Sequence, residues 1–330
     1  MTHLTLRGPA DIAAALPSLL GFHPTKSLVV IAFRGERIVL TMRTDLPSRV
    51  QSAWVDEVLA RTEHSSPDAY VFVIADEEFE AIDAVGATLA RALIEASDVE
   101  VLDALMVGGG RWRSYICGGA CCPRDGTPIQ AGDVERIRCA MTLTGQVLAT
   151  DREAIRAEFA ITDWALAAAR FAAHPGLDRK GVEATLMRLA TETPIQVNDD
   201  VIGLAVALRD HRVRDAALWM VTSQANELNH VLLTNLAALM QRTPDAWVDG
   251  VGVLAATTAW LLGDGARGVD ACERTINANP DCSLAQLLHD AMAAGLPPAM
   301  WREGMQKVTL EQCWKGELVQ GEATTTRAAS

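Results

Sequence analysis

The run S-L-V-V-I-A-F-R-G-E-R-I-V-L-T-M-R, residues 27 to 43, decides the fold class. Its first seven residues are mostly apolar and rich in β-branched side chains, which suits a strand buried on both faces. R-G-E then supplies a turn. R-I-V-L-T-M-R follows with alternation: Ile38, Leu40 and Met42 point one way, and Arg37, Val39, Thr41 and Arg43 the other. Two strands joined so closely form a hairpin. A doubly wound nucleotide-binding fold alternates strand with helix, so this hairpin excludes a clean version of it.

The flanking segments extend the pattern. Residues 2 to 6 read as a short strand. Pro9 opens a helix over 9 to 20, with Ile12, Leu16, Leu19 and Leu20 on one face; Gly21 caps it and Pro24 forbids its continuation. On the other side, residues 48 to 62 read as a helix with Trp54, Val55, Val58 and Leu59 inward. A-Y-V-F-V-I-A (69–75) is a buried strand. Residues 78 to 96 space Phe79, Ile82, Val85, Leu89 and Leu93 as an amphipathic helix. Residues 99 to 107 make a strand, and G-G-G turns it into R-W-R-S-Y-I-C (111–117). That strand should show Trp112, Ser114 and Ile116 on one face and Arg111, Arg113, Tyr115 and Cys117 on the other. The sum is an α/β domain, a mixed sheet with flanking helices, over residues 1 to 150.

Beyond residue 150 the strand signal fades and Ala, Leu, Trp and Met recur at helical spacing, as in 161–173, 201–210 and 229–242. Residues 151 to 315 read as an all-α domain of helical hairpins, and residues 316 to 330 as a disordered tail without a core pattern. Within the helical half, A-A-T-T-A-W-L-L-G-D-G-A-R-G-V-D-A-C-E-R-T-I-N-A-N-P (255–280) is tetratricopeptide-like: Gly263-Asp264 at the turn, Gly268, Cys272 and Thr275 at packing positions, Pro280 at the close. Residues 283 to 295 read as the next first helix. Stacked helical pairs offer surfaces for proteins or peptides, which nominates Trp260, Asp264 and Trp301 as partner-binding residues.

Composition limits the function classes. At 49% hydrophobic and 22% charged, the 330 residues are globular and exceed what one domain usually needs. A net charge of −13 disfavours a nucleic-acid surface, which rests on clustered Lys and Arg. No leader pattern opens the chain, and the longest weakly polar run, 251 to 262, is too short to span a bilayer. The expected compartment is the cytoplasm, without membrane association; seven cysteines there argue against a disulfide framework.

Y-I-C-G-G-A-C-C-P-R-D-G (115–126) holds the cysteine cluster Cys117, Cys121 and Cys122. C-x₃-C-C lacks the second pair of a structural zinc site, and adjacent thiolates rarely share an ion. A zinc site would draw on Cys117, one of Cys121 or Cys122, and Cys139, His23 or His174. A reversible thiol pair and inert packing are the alternatives. Arg111, Arg113 and Tyr115 on one strand face, with Arg7, Arg34, Arg37 and Arg43 on the same sheet, could hold an anion; the competing reading is a solvated face. His23 could act as a base but has no partner nearby in sequence. Gly108-Gly109-Gly110 opens a strand where a phosphate loop should open a helix. No G-x-S-x-G, H-E-x-x-H or P-loop stretch occurs, so no catalytic residue is assigned.

L-R-G-P-A-D-I-A-A-A-L-P-S-L-L-G-F-H-P-T-K-S-L-V-V (6–30) and G-R-W-R-S-Y-I-C-G-G-A-C-C-P-R-D-G-T-P (110–128) are similar to the actinobacterial family called domain of unknown function 4192. The segments 145–153 and 260–298 resemble it too, so the likeness spans nearly the whole chain. It implies an actinobacterial or actinophage source and no particular activity. The expected function is a non-enzymatic interaction or regulatory protein whose helical domain docks a protein or peptide. The alternative is an enzyme or anion sensor built on the 111–126 strand and loop.

Overall fold

The computed structural model describes residues 5–119, 122–142, 147–162, 166, 168–224 and 230–317. Helix α1 (Pro9–Leu20) begins at a proline and ends at Gly21, whose φ of 81° is left-handed, as a glycine cap allows. Strands β1 (Ser27–Arg34) and β2 (Arg37–Asp45) form the expected hairpin. β3 (Ala69–Ala75) is buried along its whole length. β4 (Glu100–Gly108) turns through Gly109 and Gly110, both at positive φ, into β5 (Arg111–Ser114). A short β6 (Thr127–Pro128) completes a six-stranded sheet in the order β2-β1-β3-β4-β5-β6. Only β3 and β4 run parallel, so the sheet is mixed.

Helices α2 (Ser52–Ala60) and α3 (Asp83–Ala96) cover one face, over Leu28, Val30, Tyr70, Phe72, Ile74 and Met106. The other face, with Val29, Ile31, Val71, Val73 and Leu105, packs on α1 and on the C-terminal helices. Both faces are therefore dry, which is why β1 and β3 read as unbroken apolar runs. Helix α4 (Ala131–Thr142) lays Ile137 against Ala14 and Ala15 of α1, and Arg136 reaches Asp11 at 2.5 Å.

Eleven further helices follow among the described residues: α5 (Arg152–Phe159), α6 (Ala168–Ala173), α7 (Arg179–Thr191), α8 (Asp199–Ala207), α9 (His211–Ser223), α10 (His230–Arg242), α11 (Val248–Leu262), α12 (Gly265–Ala278), α13 (Ser283–Ala293), α14 (Pro298–Met305) and α15 (Leu310–Lys315). Asp151, Asp178, Asn198, Asp210, Asp264 and Thr309 each accept a backbone N–H at a helix start. The apolar core runs without a break from Val73 and Leu105 through Ile155, Phe159 and Leu254 to Trp260. No helix among the described residues is long and apolar enough to cross a membrane.

Several expectations need correction. Residues 5 and 6 carry no strand, and residues 1 to 4 lie outside the described ones. A bulge in β1–β2 pairs Leu40 with Ala32 but Ile38 with Phe33, so Ile38 turns to the opposite face from Leu40 and Met42. The helix expected over 48–62 is confined to 52–60, and the one expected from 78 begins as a 3-10 turn at 80–82, with Val85 37% exposed. β5 stops at Ser114, three residues short of the expected end. Residues 161, 162 and 166 are not helical, and residues 163–165 and 167 lie outside the described ones. The tail, from residue 318 onward, lies outside them as well.

One ionic cluster joins the sheet half to the helices. Arg267 on α12 is only 5% exposed. Its guanidinium donates to both carboxylate oxygens of Glu158 on α5 (2.6 and 2.7 Å), to Asp264 (2.9 Å) and to the carbonyl of Val147 (3.0 Å). A Cβ on Gly21 would come within 2.9 Å of Arg267 Nη1, so the α1 cap abuts the same cluster. Removing one partner from a buried charge network costs about 3–5 kcal/mol. Arg267→Ala should therefore lower the urea-unfolding free energy by about that amount. A loss under about 1 kcal/mol would show the cluster to be dispensable.

Asp270, one turn along α12, is buried and pairs with Arg152 of α5, while Arg156 Nε stands 4.0 Å from its other oxygen. Burial pushes its carboxyl up from 3.8 to about 6, against the pull of Arg152. A group with a raised folded pKa adds stability that is complete below the unfolded pKa and lost as pH rises through the folded one. Asp270→Asn should therefore flatten a fall in stability between 3.8 and about 6, measured as chemical denaturation midpoints across that window. A slope unchanged by the substitution would assign the titration to other groups.

Candidate functional site

The strand and loop nominated from sequence do meet. Ser114 ends β5 by bending the chain back: its Oγ accepts the N–H groups of Ile116 (3.1 Å) and Cys117 (3.0 Å) and donates to Asp103 (2.6 Å). The chain then folds so that Arg111 Nη1 donates to the carbonyls of Asp125 (2.7 Å) and Gly126 (3.3 Å), and Arg113 Nη1 to that of Arg124 (2.9 Å). The Arg113 guanidinium also lies over the rings of Phe79 (5.9 Å) and Tyr115 (5.5 Å). These two arginines tether the 122–126 loop with donors that an anion would otherwise use.

Cys117 and Cys122 are half-buried in this loop, and Cys121 lies outside the described residues. Among the described residues no three Cys, His, Asp or Glu side chains gather as metal ligands would. His23 is exposed just past the α1 cap. Arg43 fastens β2 to the start of β1, through Ser27 Oγ (2.7 Å), the Thr25 carbonyl (3.3 Å) and Asp45 (2.6 Å). The strand order puts β2 four strand spacings from β5, about 19 Å, so Arg43 does not join Arg111 and Arg113.

The residues nominated for partner binding face inward. Trp260 is 7% exposed and donates to the Leu296 carbonyl (3.2 Å). Trp301 packs on it at 6.5 Å and donates to Thr222 Oγ1 (2.8 Å). Asp264 caps α12 and holds Arg267. All three are contacts of the chain with itself.

A cleft of about 280 Å³ opens elsewhere in the helical half. The α8–α9 turn contributes Arg209 and Arg214, the first turn of α11 contributes Asp249, and the α12–α13 turn contributes Asn279, Asp281 and Cys282. Arg209 lies over the Trp247 ring at 5.7 Å and has no carboxylate partner among the described residues. Arg214 is oriented by Asp215, which accepts from Nε (2.9 Å) and Nη2 (2.8 Å) and leaves Nη1 over. Asn279 donates to Asp249 at 2.6 Å.

Burial pushes the Cys282 thiol up, with Asp249 adding to the effect. Arg214 and the first-turn N–H groups of α13 pull the other way without prevailing. The thiol is thus protonated at neutral pH and is a poor nucleophile. Donors and acceptors without an activated nucleophile suit binding rather than covalent chemistry. Sequence reading passed over this site because its parts come from three distant turns. The signals present were Asp210 and Cys282 at helix starts and the basic run in L-R-D-H-R-V-R (208–214).

The molecule is thus an α/β sheet protein fused through one core to a helical half. The profile of the family described as domain of unknown function (DUF4192) matches residues 9–299, and the chain belongs to that family. No curated protein and no solved structure matches the chain.

The double variant Arg111→Ala/Arg113→Ala should release the loop. Each lost hydrogen bond is worth about 1 kcal/mol, so amide exchange at Cys122 and Gly126 should quicken by roughly tenfold. Unchanged exchange in mass spectrometry would show that something other than the arginines holds the loop.

Proposed function

We propose that this is a non-enzymatic, cytoplasmic binding protein whose helical half docks a partner protein at the cleft between the α8–α9 and α12–α13 turns. The observation that carries this reading is the pair Arg209 and Arg214, two arginines that line one cleft. Five of the residues nominated from sequence are engaged within the chain: Arg111 and Arg113 by loop carbonyls, Trp260, Asp264 and Trp301 by the helical core. In this reading α11–α12 and α13–α14 act as consecutive tetratricopeptide-like pairs, and the α12–α13 turn that links the two pairs forms the recognition edge together with the α8–α9 turn. The sheet half serves as the platform that holds the helices in place.

The test uses the full chain with a photo-crosslinking residue at exposed position 281. It should capture a discrete partner, and the capture should disappear when Arg209→Glu/Arg214→Glu is added. The same probe at exposed position 118, beside β5, should capture nothing. Capture at 118 alone, or at 281 regardless of the two arginines, would reject the helical cleft as the docking site.

A further inference from the structure

The cleft also limits what part of a partner can enter. Its floor is closed: α11 starts directly under the α8–α9 turn, where a Cβ on Gly250 would sit 2.5 Å from the Leu208 carbonyl. A group that enters here stops against that contact, as a chain end can, and no segment threads between α11 and the α8–α9 turn. The volume, about 280 Å³, lies just below the ~300–1,000 Å³ of sites for drug-sized ligands, so the entering group is small.

Charge narrows the group further. Arg209 has its Cζ 5.7 Å from the centre of the Trp247 ring and its fork uncommitted to any carboxylate among the described residues, and Arg214 keeps Nη1 over. Two guanidiniums lining one small cleft suit a planar oxyanion. The first-turn N–H groups of α13 point at the Cys282 thiol in the lining and bring the positive end of that helix to the cleft. Asp249 and Asp281 in the same lining, within a chain of net charge −13, work against a dianion such as phosphate. A carboxylate carries one charge and fits. Asp281 is exposed with no cation beside it among the described residues, and can accept from an amide N–H next to that carboxylate.

We infer that the cleft captures the C-terminal carboxylate of a partner chain: Arg209 and Arg214 take the carboxylate, and Asp281 takes the N–H of the last peptide bond. The inference rests on the helical half being the docking half. Capture of a terminal carboxylate by clustered donors is an established way of reading peptides.

The full-length protein should be titrated with a library of random hexapeptides, each made both as the free acid and as the C-terminal amide. Binding should appear among the free acids, weaken at least tenfold on amidation, and weaken similarly with Arg209→Gln or Arg214→Gln. Arg113→Ala should leave it unchanged. Melting temperatures of the variants confirm that the fold is kept. Binding indifferent to amidation overturns the chain-end assignment while leaving the docking reading in place. So does an array in which no free acid binds while the 281 crosslink persists. Competition by free amino acids as tight as the peptides overturns it in favour of a small-molecule carboxylate. Loss of the arginine-dependent crosslink would instead remove the docking reading itself.

Discussion

A guanidinium that is 5% exposed must find acceptors or the fold fails, and the satisfaction of Arg267 is the constraint on which the rest of this structure depends. Burial alone would lower its pKa; the hydrogen bonds it donates to Glu158 and the charge of Asp264 outweigh it and raise the pKa instead. Meeting that demand fixes four pieces of chain at once. The start of α12 supplies Asp264, α5 supplies Glu158, the segment before α5 supplies the Val147 carbonyl, and the α1 cap must be Gly21 to leave room. The chain between the halves is stitched to the same place, because Ala149 donates to the Gly21 carbonyl at 2.9 Å and pairs beside Phe22. Arg152 and Asp270 make a second stitch between α5 and α12. The burial that depresses His230 acts against the Asp264 charge, and the nearby Arg267 charge reinforces it.

The same need to satisfy buried and half-buried polar groups sets how the arginines of the two halves are used. The sheet half commits Arg43, Arg111 and Arg113 to carbonyls and a hydroxyl of its own chain. Each such contact removes a donor that a ligand would need. In the cleft the balance differs. Arg209 lies over an aromatic ring, a contact that consumes no N–H groups, and Arg214 is held by one carboxylate oxygen. Preorganisation by an aromatic face leaves the hydrogen-bonding capacity intact.

Local periodicity made much of the sheet half legible. α1 and β3 fall where the sequence puts them, because a proline start, a glycine cap and an unbroken apolar run are properties of neighbouring residues. The bulge between Ala32 and Phe33 was not legible, since its extra residue is defined by the partner strand; it reverses Ile38 without any mark in the alternation. Nor was the end of β5, where Ser114 recruits Asp103 from the adjacent strand. The intramolecular contacts of the residues nominated for partner binding were not legible for a related reason. Trp260 and Trp301 sit at helical spacing that suits either a surface or a core, and only packing decides between them. Arg209, Arg214 and Asp281 lie in turns that become neighbours only after the helices assemble.

Helix α11 connects the constraint to the cleft. It is apolar nearly all round and buried along almost its whole length, as a helix surrounded by other helices must be. Its 15 residues span about 22 Å. The first turn, with Asp249 and Gly250, forms the floor of the cleft, and the last turn ends at Gly263, one residue before the Asp264 that holds Arg267. A rod packed on every side and clamped at one end cannot slide to accommodate an occupant at the other. The cleft walls are therefore set by folding, before any ligand arrives, and binding there does not have to order them.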